Sequence, residues 1–251
     1  MTATTALAGA SVRSYTRDKT SLFFTFAFPL VFLLLFGVLF RDQEVDGDGR
    51  PYIAHIASGV LSWGVANAAV FGAAFTVMQW RRDDVLRLIR LTPTRLGSVL
   101  AARFLVALAI CATQVLVFVA TATLPAFGLR LHDTWPLAVP VLVVGVTAFL
   151  ALGVIVGTWA ETPEAVAGIC NVVMVPMAFL SGSFFPLASM PGYLQDVSYA
   201  LPLRHLNDGV LAAFSGQDAT RTAVTACGIL AAVMVAAAVV AVRTFRWSAR
   251  T

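Results

Sequence analysis

Lysine is almost missing from this chain: of its seventeen basic residues, only Lys19 is a lysine. A phosphate-cradling loop for ATP hydrolysis needs glycines ahead of a Lys-Ser/Thr pair, so that backbone amides can approach the phosphates. Lys19 does precede Thr20, but "SYTRDK" holds no glycine. The chain is therefore not expected to be an enzyme by itself, and any use of ATP must come from a partner.

Other absences narrow the chemistry further. Only three histidines occur, His55, His132 and His205, and there is no HExxH and no GxSxG. No nucleophile–base pair or metal pair suggests itself, so catalytic, metal and cofactor residues are expected to be none. Three cysteines, Cys111, Cys170 and Cys227, each lie inside an apolar run without CxxC or Cys/His spacing. They read as small buried hydrophobes. Charged residues are only 12% of the chain, and all thirteen acids fall outside the apolar runs or at their rims. An ion-coupled carrier normally keeps an ionisable residue at membrane depth. The net charge of +4 is spread in short patches rather than clustered, so no nucleic-acid partner is expected.

What the chain has instead is apolar length. Hydrophobic residues make up 59%, well above the roughly 45–50% of soluble domains. Five runs approach or exceed the roughly 20 helical residues needed to cross a bilayer: Leu22–Phe40, Ile53–Met78, Val99–Leu124, Leu137–Trp159 and Ala223–Val242. A sixth, Ala165–Ser181, is shorter. The expectation is an all-α integral membrane protein, one transmembrane domain over residues 1–251 with six spans. Leu22–Phe40 is too long for a signal core and is followed by "RDQE", so it is expected to remain as a span. Six spans put both termini on one side. Twelve basic residues fall on the terminal side and five on the other, which makes both termini cytoplasmic.

Within the first span Phe24, Phe28, Phe32, Phe36 and Phe40 recur every fourth residue, one ridge along a helix. The ridge reads first as a packing or lipid-facing surface. The sharper reading makes Phe28 and Phe32 part of an aromatic wall along a path. Pro29 is expected to bend this helix. "GVIVG", Gly153–Gly157, gives the fourth span a small-residue face for close packing. Asn67, Gln114 and Asn171 are polar residues within spans. An interhelical hydrogen bond is the default for each, and lining a polar pathway is the alternative.

Two segments carry more. The first is "QWRRDDVLRLIRLTPTRLGSVLAARF", Gln79–Phe104, on the cytoplasmic side. Arg82, Asp83 and Asp84 open a short amphipathic helix in which Leu86 and Ile89 alternate with Arg87 and Arg90. Asp83 and Arg87 form a favourable i,i+4 pair, and Thr92-Pro93 ends the helix. Such a helix either touches lipid headgroups or docks on a soluble partner. The second is "FLSGSFFPLASMPGYLQ", Phe179–Gln195, with its continuation to Gly216. It is apolar but broken: Pro186 and Pro191 interrupt any through-going helix. Beyond Pro191, Leu194, Val197, Ser198 and Leu201 share a face. After Pro202, Leu203, Leu206, Val210 and Phe214 share another. Two short helices joined by a proline turn fit a re-entrant hairpin, residues 182–216, on the external side. Backbone breaks of this kind must be covered by protein or open to a watery cavity, so the hairpin should cap a pathway.

Together these segments resemble the membrane subunits of type 2 ATP-binding-cassette exporters, the drug and polysaccharide exporter group. The resemblance rests on the charged turn followed by "TP" after the second span, and on "FLSGSFFPLASMPGYLQDVSYALPLRHLNDGV" between the fifth and sixth. It covers nearly the whole chain. The charged turn departs from many members, which carry Glu and Gly where this chain reads "RRDDV". The resemblance implies two such permease subunits, identical or homologous, paired in the bacterial cytoplasmic membrane, with two separate cytoplasmic ATPase subunits below. ATP and Mg would be bound by the ATPases. Residues 82–91 would be the coupling helix. Residues 7–19, with Arg13 and Arg17, would be an interface helix lying on the membrane. The external hairpin, with Phe184, Phe185, Pro186, Pro191 and Tyr193, would gate the exit. The expected activity is ATP-driven export of a small amphipathic drug or lipid. The alternatives are export of a lipid-linked glycan, and a non-transport resistance or immunity protein.

Overall fold

The computed structural model describes residues 19–39, 52–85, 96–125 and 127–244. Among these the secondary structure is helical throughout. The first helix, α1 (Lys19–Leu22), runs through a π-helical segment (Phe23–Ala27) into α2 (Phe28–Leu39) without leaving helical backbone. The π segment has an identifiable cause. Pro29 donates no hydrogen bond, and its ring crowds the carbonyl four residues back. That carbonyl belongs to Thr25, inside the widened turn, so the expected bend is expressed as a π-bulge.

The long helices follow: α3 (Tyr52–Arg82), α4 (Leu96–Ala122), α5 (Ala138–Trp159) and α6 (Pro163–Leu180). Two short ones, α7 (Gly192–Ser198) and α8 (Pro202–Ser215), precede the last, α9 (Ala219–Thr244). Local signals set several ends. Thr162 caps α6, its hydroxyl accepting from the Ala165 amide at 3.2 Å. Pro163 and Pro202 sit in the first turns, where a missing N–H costs nothing. Gly216, at φ +80°, closes α8 in the left-handed conformation.

Among the described residues five helices are long and apolar enough to cross a membrane: α3, α4, α5 with the 3-10 turn before it, α6 and α9. The expected first span falls short of that standard, since its apolar helix is Thr25–Leu39 and Phe40 lies outside the described residues. The helix of the second span is longer than its apolar run, continuing through Gln79–Arg82. A hydropathy run marks the part suited to lipid, whereas the hydrogen-bond ladder continues until something stops it.

The core is built around α3, whose residues Ile56–Ala66 are all buried. It packs against α5, α8, α2, α6 and α4, and α5 in turn packs against α9. The small-residue face of "GVIVG" explains the closest of these contacts. A Cβ on Gly153 would lie 2.4 Å from the Val70 carbonyl oxygen, and one on Gly157 2.5 Å from that of Ala74. The motif therefore packs α5 on α3 within one chain. Elsewhere apolar side chains face outward: Val172 is 74% exposed and Val242 80%. Such surface suits helices bathed in hydrocarbon.

Candidate functional site

The segment expected to form the hairpin begins where α6 stops. The Ser183 amide donates to the Ala178 carbonyl at 3.2 Å and the Gly182 amide to that of Phe179 at 3.3 Å. This is a Schellman closure, and Gly182 at φ +74° supplies its left-handed residue. "SG" thus ends the short span by a local mechanism. The chain then turns through Pro186, a 3-10 turn at Leu187–Ser189, and Pro191 into α7.

Side chains from two other helices hold this break. Asn207 of α8 donates through Nδ2 to the Ser181 carbonyl at 2.9 Å and to Ser183 Oγ at 2.8 Å. Tyr52, at the start of α3, donates its hydroxyl to the Phe184 carbonyl at 3.1 Å. The approach to α3 is very close, because Gly59 there has no side chain: a Cβ would fall 2.1 Å from the Ser183 carbonyl oxygen. Beside the break lies a cavity of about 180 Å³, lined among others by His55, Ser58, Leu187, Asn207 and Asp208.

An aromatic cluster completes the seal. Phe184 is 4% exposed. Its ring centroid lies 5.4 Å from those of Phe32 and Trp63, 5.9 Å from Phe36 and 5.3 Å from Phe179. Phe28 joins through Trp63 at 5.9 Å, and Phe185 packs on Phe36 and Phe179 at 6.4 Å each. Phe28, Phe32 and Phe36 of the ridge thus pack against one another, Trp63 and Phe184.

The two short helices are riveted to each other by Arg204. Its Nη1 donates to the Gln195 carbonyl at 3.0 Å and to Ser198 Oγ. Its Nε reaches Asp208 at 3.4 Å, and its guanidinium stands 3.5 Å over the Tyr199 ring. Burial pushes the Asp208 carboxyl above its ordinary value, opposed by the Arg204 charge. On α8 the expected face is as read: Leu203, Leu206, Val210 and Phe214 are all buried. On α7 the expected face is only partly inward. Ser198 is buried and Leu194 half-buried, but Val197 is 50% exposed, because seven residues make too short a helix to bury a full stripe.

At the opposite end of the bundle, Arg81 is 3% exposed. Its Nη1 donates to the Gly157 carbonyl at 3.1 Å and the Ala160 carbonyl at 3.2 Å, at the C-terminus of α5. A cation suits the negative end of that helix. Arg82 is the last residue of α3, and Asp83 and Asp84 form an exposed turn, with Asp84 at φ +52°. The amphipathic segment therefore does not start at Arg82: a turn separates it from α3. Leu86, Arg87, Ile89 and Arg90 lie outside the described residues, as do Arg13 and Arg17.

The residues read as a polar or aromatic pathway differ in exposure. Phe28 and Phe32 are half-buried in the aromatic cluster, Asn67 is half-buried on α3, and Asn171 is exposed on α6. Gln114 is 2% exposed, and neither atom of its amide has a hydrogen-bond partner among the described residues. The interhelical bond expected of it is absent there. It lies against Gly64 and close to Pro29, neither of which brings a polar side chain to its amide. Pro186 is half-buried, while Pro191 and Tyr193 are exposed at the turn into α7. Among the described residues no three His, Cys, Asp or Glu side chains gather as a metal site.

Sequence reading passed over Tyr52, Arg81, Arg204 and Asn207. Asn207 carried a signal: it falls four residues after Leu203, on the apolar face, where a polar residue needs a buried partner.

The chain is similar to several bacterial proteins. It is 31% identical over 179 residues to Nodulation protein J of Sinorhizobium fredii, covering 68% of this chain and 66% of that protein. It is 24% identical over 206 residues to the putative transport permease YvfS of Bacillus subtilis, covering 80% of each chain. It is 24% identical over 214 residues to the inner membrane transport permease YadH of Escherichia coli, covering 82% of this chain and 79% of that one. The model of the ABC-2 type transporter family matches residues 2–215, all six described helices from α3 to α8 included. The chain belongs to the ABC-2 type transporter family.

Proposed function

We propose that this chain is the membrane-spanning subunit of an ATP-driven exporter, that two such subunits form the path, and that separate ATPase subunits power it. The observation that carries this reading is the sealed break at Ser181–Phe184 in a chain of this family. Non-helical backbone at membrane depth persists where protein covers it or where it lines a watery cavity. A break covered by side chains of α3 and α8, and plugged by Phe184, can serve as a door. Six spans, counting α1–α2 as the first, keep both termini on the Arg-rich side, which is the cytoplasm. The hairpin then faces outward and Arg81 inward. Phe184, Phe185, Pro186, Pro191 and Tyr193 form the external gate.

The turn at Asp83–Asp84 and the segment through Arg90 dock on the ATPase. Arg82, Asp83, Asp84, Arg87 and Arg90 supply charge, Leu86 and Ile89 the apolar contact. Arg13 and Arg17 lie on the interface helix. The substrate is a small amphipathic drug or lipid, a reading that the short external loops support. Reversing charge at Arg87 and Arg90 tests the docking. The expected result is a membrane-inserted dimer that no longer stimulates ATP hydrolysis by its partner. Unchanged stimulation would remove the segment from the coupling path. Deleting Phe184–Pro191 tests the gate, and unaltered export by a folded complex would refute it.

A further inference from the structure

We propose that Asn207 is the latch of the external mouth: a positioning residue whose two hydrogen bonds to the end of α6 hold the hairpin shut and break when it opens. This rests on the hairpin being the gate. Both protons of Asn207 Nδ2 are engaged, by the Ser181 carbonyl and Ser183 Oγ. The amide orientation is therefore fixed, since a flipped amide would set Oδ1 against the Ser181 carbonyl.

Three features mark these bonds as a joint rather than permanent glue. First, α7 and α8 already form one body through Arg204, which engages Gln195, Ser198 and Asp208 within the hairpin itself. Asn207 reaches across from that body to a different helix. Second, the shut arrangement leaves polar atoms unmet. Asn207 Oδ1 and Ser181 Oγ have no partner among the described residues, although the two residues are 5% and 1% exposed. Water entering the joint would satisfy both, which favours the opened form. Third, the space for that water adjoins the joint, because Asn207 and Ser181 both line the cavity of about 180 Å³ beside it.

The test uses Ser62→Cys as a reporter, in a chain whose Cys111, Cys170 and Cys227 are replaced by alanine. Ser62 is fully buried on α3, one turn beyond Ser58 and Gly59, and its hydroxyl has no partner among the described residues. Labelling by a membrane-impermeant thiol reagent from outside then reports opening of the mouth. The complete transporter is used, in cells, without ATP turnover. Asn207→Asp keeps the shape but exchanges the donor for a carboxylate facing a carbonyl. The ratio of labelling rates, Asn207→Asp over parent at the same pH, is expected to reach about tenfold, the loss of one hydrogen bond. It should fall toward one as external pH is lowered, because the introduced carboxyl, once protonated, donates again. His55, Arg204, His205 and Asp208 stand nearby in both chains, so the ratio cancels their own charge changes. Tyr52→Phe removes the second donor with little change of shape and should raise labelling without a pH dependence of the ratio. If both variants label like the parent while Phe184→Ala labels faster, the gate stands and the latch is wrong. If none of the three raises labelling, the gate reading fails and the latch with it.

Discussion

Arg81 Nη1 lies 3.1 Å from the carbonyl oxygen of Gly157 and seals α3 to the end of α5 from within the protein. Two residues further on, the chain leaves α3 at the Asp83–Asp84 turn. That turn thus adjoins a buried, charge-assisted contact between α3 and α5. Arg81→Ala should destabilise the subunit by about 2–4 kcal/mol, since it strands two carbonyls and removes a favourable helix-end charge. Arg81→Lys should recover part of this, lacking the planar fork. Thermal unfolding of the detergent-purified subunit measures both.

Gly157 matters for a second reason. Its missing side chain, and that of Gly153, let α5 lie on the carbonyl oxygens of Val70 and Ala74. Gly153→Val or Gly157→Val forces the helices apart and should cost more than about 2 kcal/mol. Gly72 and Gly228 sit on helices where an added methyl would meet nothing within 4 Å, so Gly→Ala there should be neutral or stabilising by up to about 1 kcal/mol. The same unfolding assay separates the two classes.

Phe184 fills the space between α2, α3 and α6, touching Phe32, Trp63, Phe36 and Phe179. Phe184→Ala should cost about 3–5 kcal/mol if the cavity stays empty. Phe184→Leu should cost less than half of that. Tryptophan fluorescence should report the change directly, because Trp63 loses its neighbour.

Much of this architecture could be read from residue order. The apolar runs found the long helices because length in hydrocarbon is a one-dimensional property. "SG" and the prolines marked the break after α6 because Gly182 and Pro191 act on their own backbone. The face Leu203–Leu206–Val210–Phe214 was legible through helical spacing. What could not be read were the residues acting across distance. Tyr52 and Phe184 are 132 positions apart, and Arg81 and Gly157 76 apart. Nothing local in "PYIAH" or "QWRR" names a partner. Gln114 shows the converse, a polar side chain whose place within a span suggested a bond that packing among the described residues did not provide.

Asp208 gives the hairpin a pH dependence. Burial raises its carboxyl above the ordinary value of 3.8. The folded protein therefore holds this proton more tightly than the unfolded chain. Stability from this group is intact below about pH 4 and declines as pH rises through the unfolded value toward the folded one. Asp208→Asn should be more stable than the parent at neutral pH, with the difference vanishing below about pH 4. The carboxylate side chain is 41% exposed, so the gain should stay below about 0.5 kcal/mol. Unfolding midpoints across that pH range check the sign.

If this chain is the membrane subunit of an ATP-driven exporter, it moves its substrate only when a separate ATPase hydrolyses ATP. The direct measurement is uptake of a fluorescent amphipathic compound into inside-out vesicles carrying the chain and its ATPase. Uptake is expected with ATP and an active ATPase, and none when the ATPase is omitted or cannot hydrolyse. Uptake driven by an ion gradient through the chain alone would contradict it.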